Sequence, residues 1–159
     1  MAFVFRLQGL LEQRIDLRKE AERQLIERES ELASERKTLQ GLEASVEAAA
    51  EHFRRRRAER SVPGAFRNMP ILVQNELLLR LEMDVRDARS AVLSQQILVD
   101  QALELVVEAR KVLATRRLDE DVLEKYRQKA EARFVQEQSY KEELEQDEIG
   151  NVMHLSRRK

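Results

Sequence analysis

The 159-residue sequence has no cysteine, which excludes disulfides, thiolate nucleophiles and thiolate-ligated zinc. Such an absence suits a reducing compartment. Four glycines and two prolines make six chain breakers, where average usage would supply roughly nineteen. A β-rich fold or a many-loop globule could not be punctuated so sparsely. Tryptophan is missing and aromatics make up only 4% of the chain, too few for an ordinary globular core. No stretch approaches the roughly 18 uncharged apolar residues that a membrane span needs. The run from Ser90 to Val99 is among the longest without a charge. The opening residues meet charge at Arg6 and Glu12 and lack the basic-then-apolar layout of a signal peptide, so a cytoplasmic protein is expected.

Charge, by contrast, is abundant. Charged residues reach 37%, yet the formal net charge is only −1, which gives no global push toward nucleic acid or membrane. With 42% hydrophobic residues the chain also escapes the composition of intrinsic disorder. Long helices are what remain. Stepping by seven from Leu11 gives Leu11, Arg18, Leu25, Leu32, Leu39, Val46 and Phe53. The companion series is poorer: Arg14, Ala21, Arg28, Glu35, Leu42 and Ala49. In the second half the walk gives Ile71, Leu78, Val85, Val92, Val99, Val106 and Leu113, with companions Leu81, Ala88, Gln95, Ala102 and Ala109. An apolar period of 3.5 held through both halves is the signature of a left-handed coiled coil.

Both prolines and one glycine fall in the stretch from Ser61 to Pro70. Helix one is therefore expected over about 3–60, a turn over about 61–69, and helix two over about 70–149. Gly150-Asn151 would cap the second helix, leaving 150–159 as a frayed tail. So short a connection makes the helices antiparallel. The expected fold is all-α: a long two-helix antiparallel coiled-coil hairpin in one domain, with helix two overhanging at its C-terminal end. Lengths on the order of 85 and 120 Å result from 1.5 Å per residue. Folding about residue 66 sets Phe3 opposite roughly residue 129 and leaves helix two unpartnered beyond about 130. Phe134, Tyr140 and Leu144 in that region are either a surface for another molecule or incidental apolar residues on a solvated helix end.

Catalytic patterns are missing. There is no phosphate-cradling glycine loop, no G-x-S-x-G elbow and no H-E-x-x-H. His52 and His154 are each preceded at three residues by Ala49 and Asn151, so the Glu-x-x-His pattern of di-iron bundles is absent. Carboxylates such as Glu27 and Glu31 read as solvated helix surface, and neither enzymatic activity nor a cofactor is expected. Two charge features stand out. Arg54, Arg55, Arg56 and Arg57 run consecutively near the turn, while residues 119–148 hold eleven acids against five bases. The arginines can serve the C-terminal end of helix one, an acidic partner or, least in keeping with their all-round distribution, nucleic acid.

Both ends of the chain resemble the flagellar type III export protein FliJ and its injectisome counterparts. The N-terminal residues are Phe3-Val4-Phe5-Arg6-Leu7-Gln8, then Leu10-Leu11 and Arg14. The C-terminal ones are Leu123-Glu124-Lys125, Arg127, Lys129, Phe134, Glu137, Glu142 and Asp147-Glu148-Ile149. The sequence departs from the family at Glu143-Leu144, where a Gln-Lys pair is usual, at Gly150, and in the arginine run, which has no assignable counterpart. The resemblance implies a stalk that enters and activates the hexameric export ATPase and links it to the cytoplasmic domain of the membrane export gate. It also implies export chaperones as further partners, and a location at the cytoplasmic face of the inner membrane. No nucleic acid or small-molecule substrate is implied. ATPase contacts would fall on Phe3, Phe5, Leu7, Leu123, Tyr126, Arg127, Phe134, Tyr140 and Asp147. Gate contacts would fall on Phe53, Arg54, Arg55, Arg56, Arg57, Leu77 and Leu81. A generic structural coiled coil that dimerises through helix one is the competing expectation, and an arginine-tipped nucleic-acid-associated rod is a third.

Overall fold

The structure, a computed structural model, describes residues 3–64 and 69–156. Two helices account for nearly all of it: α1, Gln8–Glu59, and α2, Ile71–Ser156. They form the expected all-α antiparallel hairpin, since partners on α2 fall in number as those on α1 rise. The chain divides into two compact units. One contains residues 1–23 and 111–159; the other contains residues 24–110.

In the unit of residues 24–110, Leu32, Val99 and Val106 form the core, with Leu25, Leu39 and Ala102 packed against them. All six belong to the heptad series, which is why they meet: a 3.5-residue period keeps each row facing its partner helix. The row carries one polar interruption. Gln95, 8% exposed, donates through Nε2 to the backbone carbonyl of Glu35 (3.2 Å) and also to the Glu35 carboxylate. A buried amide with both interactions met favours one register of the two helices over a slip by a heptad.

Around the turn, Pro63 leads into Gly64, whose φ of 92° lies in the left-handed region that a side chain disfavours. Residues Ala65 to Asn68, the middle of the expected turn, lie outside the described residues. The Pro70 carbonyl accepts from the Gln74 N–H at 3.1 Å, so α2 is launched from the proline.

The other unit shows the three departures from the expected boundaries. Residues 3–5 are not helical: α1 begins at Gln8, whose N–H is bonded to the Phe5 carbonyl at 3.1 Å. Two aromatic rings placed against α2 gain more from burial than another helical turn would supply. Gly150-Asn151 does not end α2, which continues to Ser156. Gly150 keeps a helical backbone, and a single interior glycine costs only about 1 kcal/mol, which helix-compatible neighbours on both sides offset. The last expected frayed residues, 157–159, lie outside the described residues. Finally, Phe3 sits beside Phe134 rather than residue 129, so the unpartnered part of α2 starts later than expected. From Ser139 to Asn151 every residue is exposed.

Two substitutions test this packing. Leu32→Ala empties part of the central cluster and is expected to cost about 2–4 kcal/mol in urea unfolding monitored by circular dichroism, while Leu98→Ala, at an exposed position, stays within about 0.5 kcal/mol. Gly41 lies inside α1 with open space where a Cβ would go. Gly41→Ala is therefore expected to raise stability by about 0.5–1 kcal/mol in the same measurement.

Candidate docking surfaces

In the unit that carries the termini, the N-terminal segment lies against α2 through two ring contacts. Phe3 meets Phe134 with centroids 5.7 Å apart and planes at 50°. Phe5 meets Tyr126 at 6.0 Å and 52°. Both are tilted pairs within the favourable range for aromatic contacts. Phe5 is buried at 9% exposure and Leu11 at 2%, whereas Leu7 is exposed and Leu123 half-buried. Phe134 is thus occupied within the chain and is not the unpartnered aromatic expected. Tyr126 remains 55% exposed despite its contact and can still offer its outer face to a partner.

An ion network lies further along the same unit. Arg14 pairs with Asp119 at 3.2 Å. Arg18 bonds Glu120 at 2.5 Å and Glu22 at 2.9 Å, and Glu22 in turn accepts from Arg117 at 3.1 Å. Arg18 and Glu120 occupy heptad positions on opposing helices, so a salt bridge stands where an apolar pair would otherwise pack. Both are polar exceptions in their rows, which was the available signal, but their pairing could not be seen until the register was known. The hydrogen bonds from Arg117 and Arg18 hold the Glu22 carboxyl below the usual glutamate range, against the opposing effect of desolvation. Those from Glu120 and Glu22 push the Arg18 guanidinium up.

Arg127 donates to Glu124 of its own helix at 2.7 Å, while its Nε is buried without a hydrogen-bond partner. Tyr140, 63% exposed, and Asp147 lie on the overhang, away from the ring contacts. Exposed Leu144, Ile149 and Met153 accompany them among the acids of residues 137–148. The structure therefore brings Phe3, Phe5, Tyr126 and Phe134 together and leaves Tyr140 and Asp147 on a separate, solvent-facing stretch.

In the unit of residues 24–110, the arginine run is partly neutralised by acids of α1 on either side of it. Arg54 reaches Glu47 at 2.6 Å and Glu51 at 3.4 Å, Arg55 reaches Glu51 at 3.7 Å, and Arg56 pairs with Glu59 at 3.0 Å. Arg57 makes no ion pair among the described residues. Arg56 and Arg57 stand in the last turn, where cations suit the helix dipole. Phe53 and Leu77 are half-buried. Leu81, 7% exposed, belongs to the helix–helix seam, so it supports the surface without offering itself to a partner.

Among the described residues no three His, Cys, Asp or Glu side chains converge as a metal site would, and no helix is long and apolar enough to cross a membrane. The described surfaces are those of two packed helices: apolar rows inside, aromatic and charged stretches outside. The chain belongs to the YscO-like family of type III secretion proteins, whose family model matches residues 2–159. Its fold is that of the solved structure of CT670, a YscO homologue from Chlamydia trachomatis. That similarity has a TM-score of 0.78 at 20% sequence identity and covers 96% of each chain. No curated protein matches the sequence.

The depressed Glu22 carboxyl gives a pH test with a defined sign. Its contribution to stability is present above the unfolded value of about 4.3 and is lost as pH falls through the lower folded value. Glu22→Gln removes that contribution, so the difference in thermal midpoint between wild type and variant is expected to be largest near neutral pH and to shrink on acidification. A second prediction concerns the rings. Phe5→Ala is expected to lower the unfolding midpoint of this unit more than Phe3→Ala, because Phe5 is buried and Phe3 is only half-buried.

Proposed function

We propose that the chain is a stalk and activator of a type III export ATPase, a binding protein with no chemistry of its own. The observation that carries this reading is the overhang of α2. Beyond the Phe3–Phe134 contact α2 is exposed at every residue from Ser139 to Asn151, presenting Tyr140, Leu144 and Ile149 among acids. A helix stripped of its intramolecular partner, yet still bearing large apolar side chains, suits insertion into another protein. Family membership supports the secretion setting.

On this reading Leu7, Leu123, Tyr126, Arg127, Tyr140 and Asp147 face the ATPase hexamer, with Phe3, Phe5 and Phe134 shaping the surface from within. Phe53, Arg54 to Arg57 and Leu77 engage the cytoplasmic domain of the export gate. The protein then works at the cytoplasmic face of the inner membrane, with export chaperones as further partners. The terminal sequence patterns suggest a flagellar stalk and the YscO-like match favours its injectisome counterpart; the export ATPase that responds decides between them.

Truncation after Gln138 removes the overhang while keeping both ring contacts. The full chain is expected to raise hydrolysis and hexamer formation by its cognate export ATPase, and the truncated chain to lose most of that effect while retaining its helical signal. Equal stimulation by both chains, or none by either, would overturn the proposal.

A further inference from the structure

The unit of residues 24–110 has a second apolar row on α2 that α1 does not cover. Leu72, Leu79, Arg86 and Leu93 succeed one another at sevens, and all four are exposed, Leu79 at 60% and Leu93 at 66%. They lie beside the series from Leu78 to Val106 that packs on α1. A helix with two adjacent heptad rows is patterned for two neighbours. The second neighbour is not supplied by the described residues.

The space for one is present. A trough of about 750 Å³ runs between the helices, with Ala50 and Val85 among its lining and Leu93 at one end. A second of about 680 Å³ continues it past Leu78 and Leu79 to Ser61 and Asn75. The two share Phe53 and Glu82, so they are successive stretches of one groove. Its cause is legible in α1: Ala50, which lines the trough, supplies no side chain large enough to fill the gap. From Asn75 to Leu93 the groove runs along about 27 Å of α2, enough for a helix of about 18 residues.

Charge selects the occupant. Five arginines, Arg54, Arg57, Arg60, Arg86 and Arg89, line the groove against two acids, Glu47 and Glu82. Glu47 is already taken by Arg54. Arg57, Arg60, Arg86 and Arg89 make no ion pair among the described residues. A second copy meeting this groove about a two-fold axis would bring like charges together.

We propose that the groove seats an acidic amphipathic α-helix of another protein, completing a three-helix coiled coil over the second row of α2. Leu79 and Leu93 supply its apolar contacts, and the four unpaired arginines meet carboxylates along its flanks. This inference stands on residues 47–61 and 72–93. It shares Phe53, Arg54 and Arg57 with the surface proposed to face the gate but uses no terminal residue, so it holds whether or not the chain stimulates an ATPase.

The probe is a fluorescent helical peptide of about 18 residues with leucine at its a and d positions and glutamate at e and g, matched to the groove length. Its control is the same peptide with lysine in place of glutamate. Anisotropy with the full chain is expected to show saturable, salt-weakened binding of the acidic peptide and none of the lysine one. L79E and L93E should each weaken binding by about tenfold or more, and R86E/R89E should shift preference toward the lysine peptide. Leu98→Glu, exposed and absent from the groove lining, should bind as wild type. Circular dichroism melts check that each variant is folded. No binding of either peptide, equal binding of both, or unchanged binding by L79E and L93E would overturn the proposal. So would a stable dimer in sedimentation that L93E dissociates.

Discussion

Everything in this protein rests on the match between two apolar rows of period 3.5, one on each helix. A long helix so rich in charge has little reason to remain ordered alone, because helix propensity contributes tenths of a kcal/mol per residue and the nucleus is costly. Burying Leu11, Leu32, Val85, Val99, Val106 and Leu113 supplies what propensity cannot. The rows also explain where polar residues are tolerated inside. Gln95 with Glu35, and Arg18 with Glu120, each sit where an apolar pair would fit, and each is satisfied across the seam. Such pairs add little net stability, but they penalise any register that separates the partners.

That same constraint shapes the surfaces offered outward. Where the α1 row runs out, the short N-terminal segment takes over, and its two phenylalanines cover Phe134 and the inner face of Tyr126. Beyond them α2 keeps its helical form, and Tyr140, Leu144 and Ile149 are turned to solvent. In the other unit the shortage lies across the helix. Ala50 in α1 leaves a gap beside Leu79 and Leu93 of α2, bordered by Arg86 and Arg89, which make no ion pair among the described residues. Both surfaces are places where one helix has more apolar pattern than the other can cover.

The helix count, the antiparallel pairing, the heptad rows and the turn near Pro63-Gly64 were legible in the residues, because period and chain breakers act locally. The ends of the helices were less so. Phe3 to Phe5 fit a helical pattern as well as they fit an aromatic strap, and only the position of Tyr126 and Phe134 decides between the two. Gly150-Asn151 has the look of a helix stop, but glycine permits a left-handed cap without requiring one. The candidate site residues divided for a related reason. Leu81 and Phe5 looked like contact residues from their motifs, yet the packing places them inside.

By itself, then, the sequence determined the features that neighbours along the chain dictate: two long helices and their apolar faces. Tertiary structure alone decided which residues meet across the seam. Arg14 finds Asp119, 105 positions away, and Glu22 finds Arg117, 95 positions away. A shift of one heptad would keep every apolar row intact and break each of these contacts. Register is a property of the pair of helices, set by the sum of many packed side chains, and neither helix carries it alone.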